Sequence, residues 1–198
     1  MEPGQRELLL AGRSVLLVAG NDREGVSRSC IGVVAAQFQN DMPMLRIRLG
    51  VAPSPYTGAA AAPCMSANRL SHTFDLRGPS LAVDTACSSS LVAADAAAAF
   101  LRSGRCDVAL VAAANVLLDP AVFSLYSSAH MLALAGRSRA FDQTADGYVR
   151  AEGIGVMALE SAAAAASGRR AVCISGVAVN SDGRSASLTA PRGPAQEE

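Results

Sequence analysis

The stretch VDTACSSSL (83–91) sets one thiol, Cys87, among Thr85, Ser88, Ser89 and Ser90. PSLAVD (79–84) reads as a short strand, and SSSLVAADAAAAFLRSG (88–104) as a helix stopped by Gly104. Cys87 therefore falls at a strand-to-helix turn, where two roles are open to it. A free cysteine is among the most buried residue types, which makes it a packed core thiol. A thiol at a helix N-terminus instead meets the positive end of the backbone dipole, which favours thiolate and can bring its pKa from about 8.5 into a range of roughly 3.5 to 7.5. Unpaired N–H groups there can also hold the oxyanion formed when sulfur attacks a carbonyl. The small neighbours leave room for an acyl chain. Strand–turn–nucleophile–helix is also the logic of the G-x-S-x-G elbow, whose glycines are missing here. Spacing alone leaves both roles standing.

The remaining candidates are weaker. Cys30, Cys106 and Cys173 lie inside strand-like runs and read as core thiols, while Cys64 follows a loop. Five cysteines without a CxxC pair imply no complete disulfide framework, and a reducing, cytoplasmic compartment is the simpler expectation. His72 and His130 have no H-x-x-x-H spacing, so no metal site is expected. Lys plus Arg and Asp plus Glu both total 17 and no basic stripe occurs, which argues against a nucleic-acid partner. The nearest approach to a membrane span, LLLAGRSVLLVAG (8–20), is short and broken by Arg13, so no span is expected, and Glu2 and Glu7 make a poor signal peptide.

The elements that must position Cys87 follow from periodicity and punctuation. Helices are expected over 4–19 (closed near Gly20), 64–78 (stopped by Gly78), 88–104, 123–134 and 162–168. Strands are expected over 30–38, 79–84, 106–118, within 147–161 and over 169–180. PSPYTGAAAAP (53–63) reads as loop, and AQEE at the end as the start of a helix. Strands alternating with helices predict an α/β domain around a buried sheet.

VDTACSSSL resembles the active-site segment of the β-ketoacyl synthases, in particular the ketosynthase domains of modular polyketide synthases. Other segments match in the same order. MEPGQRELLL (1–10) is similar to the family's M-D-P-Q-Q-R-L-L-L stretch, and CIGVVAAQFQND (30–41) to its G-V-F-V-G strand. SANRLSHTFDLRGPSLAVDTACSSSLVA, LRSGRCDVALV, SRAFDQTADGYVRAEGIGV and AVNSDGRSASLTAPRGPAQE match nearly continuously, so the likeness covers 1–198 as one partial domain.

The resemblance implies a thiolase-like α/β fold, here its amino-terminal half, in a family usually paired as homodimers. It implies decarboxylative Claisen condensation, with acyl carrier protein as partner and acyl and malonyl-type thioesters as substrates. Phosphopantetheine belongs to the carrier, so no cofactor is expected on this chain. Cys87 becomes the acyl-accepting nucleophile, a role that suits a thiolate. The family's two helper histidines lie in H-G-T-G-T and N-I-G-H segments, absent here; His72 and His130 match neither and read as structural or surface residues. On the resemblance, the chain is the middle of a ketosynthase. It should expose a sheet edge and apolar helix faces, be poorly soluble alone and be inactive in condensation. A non-catalytic packing or dimerisation fragment, and cysteine acyl transfer without decarboxylation, are the rival readings.

Departures from the family pattern also raise expectations. Ala113-Ala114 and Ala151 stand where relatives carry glycine, so their methyl groups should crowd any close backbone approach. Asp95, where relatives often have His, should either find an Arg or backbone partner or face a wet crevice or dimer surface. Asp84 and Thr85 should shape the turn, and Asp182-Gly183 a tight turn. Asn68, Arg69 and Arg77 should make structural hydrogen bonds, and Asp142, Asp146, Arg150 and Glu152 an ion-pair network near the site entrance.

Overall fold

The computed structural model describes residues 1–20, 30–37, 41–161, 172–187, 190 and 192–197. Four strands form one sheet in the order β2 (Ser80–Val83), β1 (Ile31–Gln37), β3 (Val108–Asn115), β4 (Gly153–Glu160). The first three are parallel, and β4 runs antiparallel to β3 with Val108 opposite Glu160. The fold is thus mixed α/β.

Both faces of the central strands are covered, which is why they read as unbroken apolar runs rather than alternating ones. On one face Ile31, Val33 and Ala35 of β1 and Leu110 and Ala112 of β3 meet Leu8 and Leu16 of α1 (Pro3–Val18). Leu70 of α4 (Met65–Phe74) closes that cluster. On the other face Val34, Ala36, Ala109 and Val111 meet Ala93, Ala94 and Ala97 of α5 (Ser89–Arg102). Alanines at this contact let the helix approach the sheet closely. At about 25 cal/mol per Å² of apolar surface, these two clusters are the main favourable term in the fold.

Local chemistry sets the helix ends. Pro3 occupies the first turn of α1, and the buried Glu2 carboxylate caps it by accepting the Gly4 and Gln5 N–H groups at 2.9 and 2.8 Å. α1 ends at Val18, close to the expected boundary. α4 stops earlier than expected, because Asp75 takes the left-handed conformation with φ 52°. Gly78 has another use: a Cβ there would lie 2.5 Å from the Ile31 carbonyl carbon, and its N–H donates to Ile31 O at 2.9 Å. Only glycine lets that loop touch β1 so closely.

Other expectations need correction. The 53–63 stretch holds a short helix, α3 (Thr57–Ala61), and an unforeseen α2 spans Met42–Arg48. The helix expected over 123–134 is α6, Pro120–Ser128, started by Asp119, whose Oδ1 accepts the Ala121 N–H at 2.9 Å. The helix over 162–168 lies outside the described residues, as do residues 169–171 of the last expected strand. Its described part, 172–180, forms no strand, and Cys173 is exposed rather than core. A short α7 (Gly193–Glu197) occupies the final stretch. Among the described residues β4 pairs on one side only, and Ile154, Met157, Leu10, Leu17 and Val18 stand exposed.

Candidate active site

β2 delivers the chain to a turn built from its own side chains. Asp84 Oδ1 accepts the Ala86 N–H at 2.9 Å, an Asx turn. The buried Ser89 hydroxyl accepts the Thr85 N–H at 2.8 Å and donates to the Ala86 carbonyl at 2.6 Å. Ser88 Oγ donates to the Thr85 carbonyl at 2.8 Å and lies 2.9 Å from Thr85 Oγ1. Held from both sides, Ala86 takes φ 57°. That region costs a residue with a Cβ roughly 1–2 kcal/mol, and such strain gathers at functional turns. Composition gives no warning of it, because the residue is not glycine.

Cys87 is the middle residue of a one-turn 3-10 segment, Ala86–Ser88, immediately ahead of α5. The α-helix expected from Ser88 begins one residue later, at Ser89. Of the cysteines, Cys87 is exposed and Cys106 is buried, with burial pushing the Cys106 thiol up from its ordinary value. Cys30 is half-buried and Cys64 exposed.

Cys87 lines a cavity of about 740 Å³, within the roughly 300–1,000 Å³ of ligand pockets. The ends of β1 and β3, the start of β4, and the segment 148–151 form its walls, with Tyr126 and Met131 closing one side. Tyr148 is fixed there by a bridge to Leu132: its N–H donates to Met131 O at 3.1 Å and its carbonyl accepts from Ala133 N–H at 3.0 Å. Gly147 permits this bridge, since its φ is 141° and a Cβ would lie 2.6 Å from Ala133 N.

Ala113, Ala114 and Ala151, the three positions singled out as replacing glycine, all line this same cavity. Each methyl group takes space that glycine leaves open. His72 and His130 are exposed and do not line it. Asp95 finds the Arg partner, Arg102 at 3.9 Å, and its side chain is also 34% exposed, so it is neither buried nor alone.

The expected ion-pair network among Asp142, Asp146, Arg150 and Glu152 does not form. Asp146 pairs with Arg139 at 3.8 Å, Asp142 accepts the Thr144 N–H and hydroxyl at 2.7 Å each, and Glu152 accepts the Leu117 N–H at 2.8 Å. The Thr144 backbone N–H, with its hydroxyl, holds the Asp142 carboxyl below its ordinary value. Arg150 stacks instead on aromatic rings, its guanidinium carbon 4.7 Å from the Tyr126 centroid and 5.6 Å from that of Phe123. The four charges each find a different partner because the chain turns between them. Asn68 and Arg69 do serve structure: Asn68 Oδ1 accepts from Ser80 Oγ at 3.0 Å, and Arg69 donates to Gln5 Oε1 at 3.0 Å and Ala59 O at 2.7 Å. Arg77 pairs with Asp75 at 3.1 Å on the surface.

A buried acidic corner carries no clear mark in the sequence pattern. Asp119 pairs with Arg48 at 2.8 Å, and Asp41 Oδ2 accepts the Leu118 and Asp119 N–H groups at 3.1 and 3.3 Å. The Asp119-Pro120 step is the one available signal. This corner anchors α6, which carries Tyr126 to the cavity.

No helix among the described residues is long and apolar enough to cross a membrane, and no cluster of His, Cys, Asp or Glu among them is arranged to hold a metal.

Residues 1–165 match the family described as "Beta-ketoacyl synthase, N-terminal domain". The chain is 43% identical over 198 residues to a phenolphthiocerol/phthiocerol polyketide synthase of Mycobacterium tuberculosis, covering 99% of this chain and 11% of that protein. It is 42% identical over 193 residues to polyketide synthase ThaG of Burkholderia thailandensis, covering 96% of this chain and 3% of that one. The fold superposes on the ketosynthase from module 6 of the bacillaene synthase of Bacillus subtilis 168 with a TM-score of 0.83 and 27% identity, over 99% of this chain and 34% of that one. An oxazolomycin ketosynthase domain from Streptomyces albus JA3453 gives a TM-score of 0.71 and 33% identity, over 82% of this chain and 29% of the other. The chain thus spans a small part of the proteins it matches, and about a third of that bacillaene ketosynthase. The ketosynthase-like segments CIGVVAAQFQND, SANRLSHTFDLRGPSLAVDTACSSSLVA, LRSGRCDVALV and SRAFDQTADGYVRAEGIGV carry β1, β2, the first halves of β3 and β4, the Cys87 turn and part of the cavity wall. The chain belongs to the β-ketoacyl synthase family, as the amino-terminal part of a ketosynthase domain of the modular polyketide synthase kind.

Proposed function

We propose that the chain takes an acyl group from a carrier-bound phosphopantetheine thioester onto Cys87, the opening half of a decarboxylative condensation. The Cys87 sulfur attacks the thioester carbonyl, the carbon–sulfur bond to pantetheine breaks, and pantetheine leaves as a thiol after taking up a proton. One observation carries this reading: an exposed cysteine on a strained strand-to-helix turn lines a cavity large enough for a ligand. The dipole of α5 and the first-turn amides favour the charge that such an attack develops. The acyl carrier protein as partner, malonyl-type thioesters as extenders and pairing into a homodimer belong to the same reading, as does the absence of a cofactor carried by this chain.

Condensation draws on the two histidine segments that these 198 residues do not contain. The expected behaviour of this chain is acyl uptake without decarboxylation. Intact-mass measurement after incubation with acetyl-pantetheine tests it: one acetyl group is expected on the unaltered chain and none on Cys87→Ala. Acetyl uptake by neither protein, with both folded, would leave the packing-fragment reading in its place. Carbon dioxide release from malonyl-pantetheine is expected to stay at background.

A further inference from the structure

Arg150 stands out among the groups lining the cavity. Its guanidinium lies over two rings of α6, 4.7 Å from the Tyr126 centroid and 5.6 Å from that of Phe123. Its Nε is shielded from solvent and makes no hydrogen bond. The carboxylates close to it in sequence are engaged elsewhere, Asp146 with Arg139 and the Leu134 N–H, Glu152 with the Leu117 N–H. No carboxylate pairs with it among the described residues. The rest of the cavity wall is largely alanine, glycine and apolar side chains. A cation with an orphaned donor in such a wall is costly unless a ligand completes it. Aromatic faces hold a guanidinium in place but supply no acceptor for an N–H.

We propose that Arg150 is the anion-binding group of this cavity, recognising an oxyanion of the thioester ligand. The oxyanion has two chemical sources, a carboxylate on the acyl end or the phosphate on the carrier arm. Both offer the paired oxygens that a guanidinium fork binds best. This rests on the acyl-transfer reading for the kind of ligand, but not on Cys87 reacting.

The test is calorimetric binding to the full chain carrying Cys87→Ala, which cannot be acylated. Three ligands are compared: acetyl-pantetheine, succinyl-pantetheine and acetyl-4′-phosphopantetheine. One of the two anionic ligands is expected to bind about tenfold more tightly than acetyl-pantetheine, as a charge-assisted bond supplies. The tighter one identifies the source. Adding Arg150→Gln should abolish that preference, and Arg150→Lys should keep part of it through charge alone. A purely packing role for Arg150 would weaken all three ligands alike. Equal affinities, no binding of any ligand, or a preference that survives Arg150→Gln overturns the proposal. Acylation of Cys87 in the unaltered chain is read separately, so loss of one conclusion leaves the other standing.

Discussion

Burial separates the chemistry of Cys106 from that of Cys87. Cys106 sits under α5 at 4% exposure, and desolvation disfavours its thiolate. Cys87 stands exposed at the cavity. Alkylation by iodoacetamide under native conditions should therefore mark Cys106 last, and its labelling should rise only at higher pH or on unfolding. The same raised value fixes a sign for stability. Its contribution is fully present below the ordinary thiol range and is lost as pH climbs through the raised folded value, so urea midpoints should fall on the alkaline side. Which thiol is which is only partly legible in the sequence. Cys87 is readable because turn residues flank it on both sides of the strand–helix boundary. Cys173 passes for a core thiol because an apolar run resembles a buried strand whether or not a partner strand exists. Arg150 passes for an ion-pair member because its charged sequence neighbours hide the Tyr126 and Phe123 rings that the fold brings to it.

At the scale of the element, the turn between β2 and α5 depends on one hydroxyl. Ser89 satisfies a donor and an acceptor of the strained Thr85–Ala86 unit at once. Ser89→Ala orphans the Thr85 N–H and should cost about 1–3 kcal/mol, read by denaturant unfolding. Asp119→Ala removes both the cap of α6 and the buried partner of Arg48, and should cost more than the roughly 1–2 kcal/mol of a cap alone. Asp119→Asn still accepts the Ala121 N–H but offers Arg48 no charge, and should recover only the cap's share. An unchanged midpoint in either alanine variant would contradict these assignments. Strands β1 and β3 and helices α1 and α5 are legible because each carries a long apolar pattern with clear punctuation. Short α2 and α3 are not, since five to seven residues hold too few turns for periodicity to register. The antiparallel sense of β4 is also hidden, because strand direction is set by the connection and leaves no mark in the strand itself.

For the whole molecule, two covered sheet faces coexist with uncovered surfaces. Leu10, Leu17 and Val18 on α1 and Met157 on β4 are exposed apolar groups near a sheet edge that pairs with no further strand among the described residues. The isolated chain should self-associate with rising concentration, measured by light scattering. Leu17→Lys with Met157→Lys should reduce that scattering while changing the unfolding free energy by less than about 0.5 kcal/mol per substitution, as expected of surface positions. The cavity is likewise a product of the whole fold, since β1, β3, β4, α6 and the 148–151 segment all reach it. Ala113-Ala114 and Ala151 lie far apart along the chain and come together at its wall.

The central claim is that a transferred acyl group lands on one particular sulfur. Peptide mapping of the chain after brief exposure to acetyl-pantetheine, with all five cysteines resolved, measures this directly. The acetyl group is expected on Cys87 ahead of the also exposed Cys64 and Cys173, with Cys106 unlabelled. Acetylation spread evenly over the exposed thiols, or absent from Cys87, would contradict it.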